Sequence, residues 1–114
     1  MANINPNEYR DLLRHFEECR AFFQAIGNET RSAIVMDLIM AGEEGHRVGV
    51  ICDAVHLSRP AVSHQLKILK EAGVVQMREE GTKNYYYLCI GDHIPKLRAA
   101  SEALDHFVKT YYNM

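Results

Sequence analysis

No stretch of the 114-residue chain approaches the ~18 consecutive apolar residues that cross a bilayer, which excludes a membrane-spanning reading. The amino terminus, Met-Ala-Asn-Ile-Asn-Pro-Asn, lacks the basic start and apolar centre of a secretory signal, so a cytoplasmic location is expected. Cysteine is sparse: Cys19, Cys52 and Cys89 offer neither a disulfide framework nor a CxxC metal knuckle and are expected to be thiols. A glycine-rich phosphate loop, GxSxG and HExxH are all missing. Ser63 and His64 are neighbours that diverge on a helix and have no acidic orienter, so no enzyme is expected. The length excludes two full domains, and 47% apolar with 25% charged residues is ordinary for one globular domain spanning 1–114.

An excess of positive charge is lacking as well. The net charge of −2 argues against a nucleic-acid binder, because phosphate contacts need Lys and Arg. The distribution reverses that impression. Residues 1–58 carry a net −4, residues 59–83 carry +2, and residues 84–114 are balanced.

Leu12, Phe16, Cys19, Phe23 and Ile26 alternate spacings of four and three, which predicts one apolar stripe on a helix over Asn7–Ala25, stopped by Gly27. Asn28 suits the N-cap of a second helix carrying Ile34, Val35, Leu38 and Ile39 to about Ala41. Gly42–Arg47 reads as a polar loop and Val48–Val55 as a short third helix. His56-Leu57-Ser58 is a turn into a fourth helix, capped by Ser58, tolerant of Pro60 in its first turn and ended by Gly73. Val74–Arg78 and Asn84–Cys89 are β-branched and aromatic, and predict a hairpin joined by Glu79–Lys83. Gly91 breaks it. Asp92 is expected to cap a last helix in which Leu97, Ala100, Leu104, Phe107 and Tyr111 repeat the three-four stripe. The fold class is therefore mostly α with a β-hairpin: three helices, a fourth after a tight turn, the hairpin, and a helix.

At ~100° per residue, the fourth helix sorts into two arcs. Ala61, Val62, Leu66, Ile68, Leu69 and Ala72 occupy one, and Arg59, Pro60, Ser63, His64, Lys67 and Lys70 the other. A short helix, a three-residue turn and a second helix with a polar-basic outer face match a helix-turn-helix, whose second helix enters the major groove. Ser63 and His64 suit base edges, Arg59 has the fork for guanine O6 and N7, and Lys67 and Lys70 suit phosphates; Gln65 is counted with them. An amphipathic surface helix with merely solvated charges is the plain alternative. The hairpin favours DNA, because Arg78 and Lys83 flank a turn that can reach an adjacent minor groove or backbone as a wing.

Three segments carry a resemblance: Ile26-Gly-Asn-Glu-Thr-Arg31, Leu57-Ser-Arg-Pro-Ala-Val-Ser-His-Gln-Leu-Lys-Ile-Leu-Lys-Glu-Ala-Gly-Val74, and Arg78-Glu-Glu-Gly-Thr-Lys-Asn-Tyr-Tyr-Tyr-Leu88. In order and spacing they resemble the signature segments of the ArsR/SmtB family. The resemblance implies a winged helix-turn-helix homodimer that binds a double-stranded DNA operator and represses transcription until an inducer, often a metal ion, releases it. On that reading residues 48–73 are the helix-turn-helix, 74–89 the wing, and 7–26 with 92–112 the dimerisation helices. The apolar rows of the terminal helices exceed what so small a core requires, which makes Leu12, Phe16, Phe23, Leu97, Leu104, Phe107 and Tyr111 the expected interface. A winged-helix scaffold that binds another protein and no DNA is the second reading.

The resemblance also implies two places for a metal. A Cys-x-Cys-Asp motif on the third helix is half present, as Val50-Ile51-Cys52-Asp53. An Asp-x-His-x10-His-x-x-Glu or His pattern on the last helix has two plausible ligands in either frame: Asp92 and Asp105, or His93 and His106. His93 and His106 lie about 220° apart around one helix and would converge only between antiparallel helices of two subunits. Each candidate has an ordinary role too: Cys52 as a packing residue, Asp92 as a cap, the others as solvated side chains. No cofactor is required. The expectation is no tightly held metal, and a metal or redox inducer that the sequence leaves unidentified, since none of the thiols sits in an evidently basic setting.

Overall fold

The computed structural model describes residues 3–114. Asn5 opens the first helix, α1 (Pro6–Glu18), by accepting the Asn7 N–H at 2.8 Å, and Pro6 fills a first-turn position that needs no intrahelical donor. Cys19 ends it, its N–H reaching back to the Phe16 carbonyl at 3.1 Å, and α2 (Arg20–Ile26) follows. The single helix expected over Asn7–Ala25 is therefore two. A turn that tightens to an i−3 bond is a common helix ending, and neither Gly nor Pro marks it here.

Asn28 caps α3 (Glu29–Ala41) by accepting the Arg31 N–H at 3.0 Å. A 3-10 turn over Gly42–Glu44 leads to α4 (Val48–Val55), which ends as His56 takes a left-handed φ of 58°. Ser58 Oγ then accepts the Ala61 N–H at the start of α5 (Arg59–Glu71). The hairpin is β1 (Val75–Glu80) and β2 (Lys83–Leu88), antiparallel, with Val75 opposite Leu88 and Glu80 opposite Lys83. Its turn is only Gly81-Thr82, with Gly81 at φ 62°, shorter than the expected Glu79–Lys83 because backbone pairing carries Glu79 and Glu80 along regardless of their charge. The last helix, α6 (His93–Tyr111), starts without the expected cap: Asp92 has helical backbone angles and its side chain makes no capping hydrogen bond.

The stretch read as a polar loop holds an unforeseen pairing. His46 and Tyr86 exchange backbone bonds of 2.9 and 2.8 Å, adding a one-residue third strand to the hairpin. Gly45 permits it: its φ is 75°, and a Cβ there would lie 2.1 Å from the Tyr86 carbonyl oxygen.

The chain divides into two compact units. In the first, residues 3–21 with 91–114, α1 packs against α6, the Asn5 N–H donates to Tyr111 Oη at 3.0 Å, and the Phe107 and Tyr111 rings lie 4.8 Å apart. In the second, residues 22–90, Ile34 and Leu38 of α3, Ile51 of α4, Val62, Leu66 and Leu69 of α5, and Val74 and Val75 form the core. Each such burial contributes ~1.5–3 kcal/mol. Because α5 gives its apolar arc to this core, its polar arc must face outward.

Candidate nucleic-acid interface

Arg59, Pro60, Ser63, His64, Lys67 and Lys70 are all exposed on α5, and no other part of the described chain covers them. Gln65 differs. It is half-buried, and its Oε1 accepts from Arg31 Nη1 at 2.9 Å. Arg31 also donates Nε to the Ala25 carbonyl at 2.6 Å and Nη2 to the Gln24 carbonyl at 3.2 Å. One guanidinium thus ties the end of α2 to the middle of α5, and the Gln65 amide faces that tie.

On the wing, Lys83 is exposed beside the turn. Arg78 is occupied within the protein: Nη2 donates to the Glu44 carbonyl at 2.9 Å, Nη1 to the Glu43 carbonyl at 3.5 Å, and Nε to Glu80 at 2.8 Å. Its guanidinium also lies 5.2 Å and 5.8 Å from the ring centres of Tyr85 and Tyr87, within cation–π range. Strand alternation puts Tyr86 on the opposite face, where it joins Ser63, Lys67 and Lys70 around a notch of about 190 Å³. Tyr86 was not singled out from the sequence, although its offset from Tyr85 and Tyr87 in the period-2 pattern is legible.

A larger cleft of about 570 Å³ opens between the first turn of α4, Arg59 and the wing turn. Cys52 and Asp53 line it from α4, and Arg47, Thr82 and Asn84 from the rim. Arg47 escaped sequence reading because it sits in the loop, outside the basic stretch; its place immediately before α4 was the available signal.

Among the described residues no group of three or more His, Cys, Asp or Glu is placed to hold a metal ion. Cys52 is half-buried in the cleft, Asp92 is exposed, His93 is half-buried, and Asp105 pairs with Lys109 at 3.0 Å. His106 lines a cavity of about 330 Å³ between α1 and α6 with Glu8 and Asp11. A hydrogen bond from Arg14 holds the Asp11 carboxyl below the usual range, so that acid is already engaged. Cys19 is buried and Cys89 exposed.

Of the expected interface residues, Leu104 and Phe23 are exposed, Leu12, Phe16, Leu97 and Tyr111 half-buried, and Phe107 is buried in the single chain. Tyr9 and Leu13 of α1, 50% and 43% exposed, add apolar surface that the stripe did not include.

A helix-turn-helix with an uncovered polar-basic second helix, followed by an antiparallel hairpin, defines a winged helix-turn-helix DNA-binding protein. Residues 28–77 match the family model of bacterial regulatory proteins of the arsR family. Over 86 residues the chain is 36% identical to an uncharacterised HTH-type transcriptional regulator of Methanocaldococcus jannaschii, covering 75% of this chain and 92% of that protein. It is 38% identical over 66 residues to the transcriptional repressor SdpR of Bacillus subtilis, covering 58% and 70%. The solution structure of a homodimeric winged helix-turn-helix DNA-binding domain from Mycobacterium bovis, a possible ArsR-family regulator, superposes with a TM-score of 0.59 at 25% identity, covering 96% of this chain and 95% of that one. The chain belongs to the ArsR family and is a DNA-binding transcriptional regulator.

Proposed function

We propose that the protein is a cytoplasmic homodimeric repressor that docks the exposed face of α5 in the major groove of an operator and is released by an inducer. Arg59, Ser63 and His64 read base edges, Lys67 and Lys70 hold phosphates, and Lys83 reaches the flanking backbone from the wing. Arg78 and Gln65 serve these contacts indirectly, one bracing the wing and the other fixing α5. The observation that carries this reading is the exposure of the polar arc of α5 on a helix that buries Val62, Leu66 and Leu69 in the core. The exposed apolar residues Tyr9, Leu13 and Leu104 on the terminal helices, together with the homodimeric relative from Mycobacterium bovis, support a second copy of the chain as partner. In a two-fold dimer the two α5 helices would meet half-sites one DNA turn apart.

Selection of duplexes from a random library by the purified protein tests this. The expected product is an inverted repeat with half-site centres about 10–10.5 base pairs apart or a multiple of it, and transcription in vitro from a promoter bearing that repeat should fall when protein is added. No enrichment over the starting library, with a protein partner retained instead, would favour the scaffold reading.

A further inference from the structure

The cavity of about 330 Å³ between α1 and α6 holds a group that nothing in the protein satisfies. Leu12, Ala103 and Phe107 give it an apolar lining, and Glu8, Asp11 and His106 its titratable groups. Among the described residues, the side-chain atoms buried without a hydrogen-bond partner are Glu8 Oε2 and His15 Nδ1, and of the two residues Glu8 is the one that lines the cavity. Such orphans are rare, because a buried acceptor without a donor has given up its hydration and received nothing in return. The arginines of α1 are engaged elsewhere. Arg14 pairs with Asp11 and Glu18, and Arg10 donates to the Asn7 amide oxygen. The charge of Asp11 is met by Arg14 at 2.6 Å, and no Lys or Arg lines the cavity. Glu8 is thus an acceptor with neither donor nor counter-charge, beside three apolar side chains.

An occupant that suits these walls brings a charged N–H donor on one side and hydrocarbon on the other. A metal ion does not: no three His, Cys, Asp or Glu among the described residues are placed to hold one, and Leu12, Ala103 and Phe107 offer it no ligand atoms. Water satisfies one oxygen and leaves the apolar lining wet. We propose that the cavity binds a small organic ammonium, its N–H donating to Glu8 Oε2 and its hydrocarbon body packing on Leu12, Ala103 and Phe107, and that an amine of this kind is the inducer. The volume lies at the lower end of the range for small-molecule sites. The inducer role rests on the repressor reading above. Leu12 and Phe107 belong to the apolar rows through which α1 and α6 are proposed to join two subunits, so an occupant there acts on the packing that sets the separation of the two α5 helices.

The experiment uses the full chain, 2-phenylethylammonium as the probe and 2-phenylethanol as its uncharged twin. Binding is followed through the Ala103 methyl and the Glu8 and Phe107 amide resonances. In a second arm, at matched ionic strength, release of a selected duplex is followed by fluorescence anisotropy. The amine is expected to give saturable shifts at all three positions and the alcohol to bind at least about tenfold more weakly. Glu8→Gln keeps the shape and loses the charge, and should weaken the amine by about tenfold or more. Ala103→Leu fills the space, keeps Glu8, and should block the amine. Release of the duplex from the unaltered protein and from neither variant assigns the cavity as the inducer site. Saturable, Glu8-dependent binding that leaves the duplex bound keeps the amine site and overturns its inducer role. Absence of saturable shifts, or an equal response to amine and alcohol, overturns the cavity while duplex binding by the unaltered protein leaves the DNA reading standing; a dimer weakened by Glu8→Gln in that case assigns the Glu8 partner to the second subunit. If the unaltered protein binds no duplex, the repressor reading fails and the resonance shifts alone decide the cavity.

Discussion

Arg31 lies off the exposed polar arc of α5, yet its replacement should be among the most damaging single changes in residues 22–90. Its guanidinium donates to the Ala25 carbonyl at 2.6 Å, to Gln65 Oε1 at 2.9 Å and to the Gln24 carbonyl at 3.2 Å. Hydrogen bonds from a charged donor are worth ~1.5–3 kcal/mol when desolvated and less when water competes. The first two are part-buried and the third is exposed. Discounting all three for solvent, Arg31→Ala should cost about 2–3 kcal/mol, a fall in Tm of about 8–12 °C at ~4 °C per kcal/mol. Arg31→Lys cannot reach three acceptors with one ammonium and should recover less than half. Thermal and urea unfolding by circular dichroism, at one fixed protein concentration because a dimer's stability depends on it, gives the values. A double-mutant cycle with Gln65→Ala should show coupling of at least ~0.5 kcal/mol. If Arg31→Ala unfolds within ~0.5 kcal/mol of the unaltered protein, the tie between α2 and α5 is not holding the structure and the reasoning fails.

Other outcomes follow from the same coordinates. Arg78→Lys keeps the charge but loses the fork on the Glu43 and Glu44 carbonyls, so it should lower stability by about 1 kcal/mol and leave the salt slope of DNA binding unchanged; a lowered slope with Arg78→Ala and full retention with Lys would make Arg78 a phosphate contact instead. Gly45→Ala adds a Cβ 2.1 Å from the Tyr86 oxygen at a left-handed φ. It should cost about 3 kcal/mol, from ~1–2 of backbone strain plus the lost His46–Tyr86 pairing, and a melting temperature equal to the parent's would contradict this. Elemental analysis of the purified protein should find no stoichiometric metal; one ion per subunit that disappears in His106→Ala would assign a site on α6.

The helices between Asn28 and Gly73 were legible because their signals are local. Asn28 and Ser58 cap where they stand, and the two arcs of α5 are fixed by the three-four spacing of Val62, Leu66 and Leu69. What escaped depends on groups distant in the chain. The His46–Tyr86 pairing spans the whole helix-turn-helix, and the carbonyl partners of Arg78 and the arginine partner of Gln65 lie more than thirty positions away. These set whether a polar side chain faces DNA or its own fold, which periodicity does not encode. The break at Cys19 has no composition signal, and Asp92 had the right residue type for a cap without the backbone angles of one. The stripes of α1 and α6 show an apolar face, but only packing tells that Phe107 is buried in the single chain while Leu104 is not.

The most direct test of the central claim, that the outward arc of α5 is what meets DNA, is a salt titration of the unaltered protein and His64→Ala against the selected and a scrambled duplex. Affinity of the unaltered protein should fall linearly in log–log coordinates, and His64→Ala should narrow its preference for the selected duplex by about 5- to 150-fold, the equivalent of ~1–3 kcal/mol, while keeping the slope. Binding that ignores salt, or a preference that His64→Ala, Ser63→Ala and Arg59→Ala all leave intact, would place the DNA-reading surface elsewhere on the molecule.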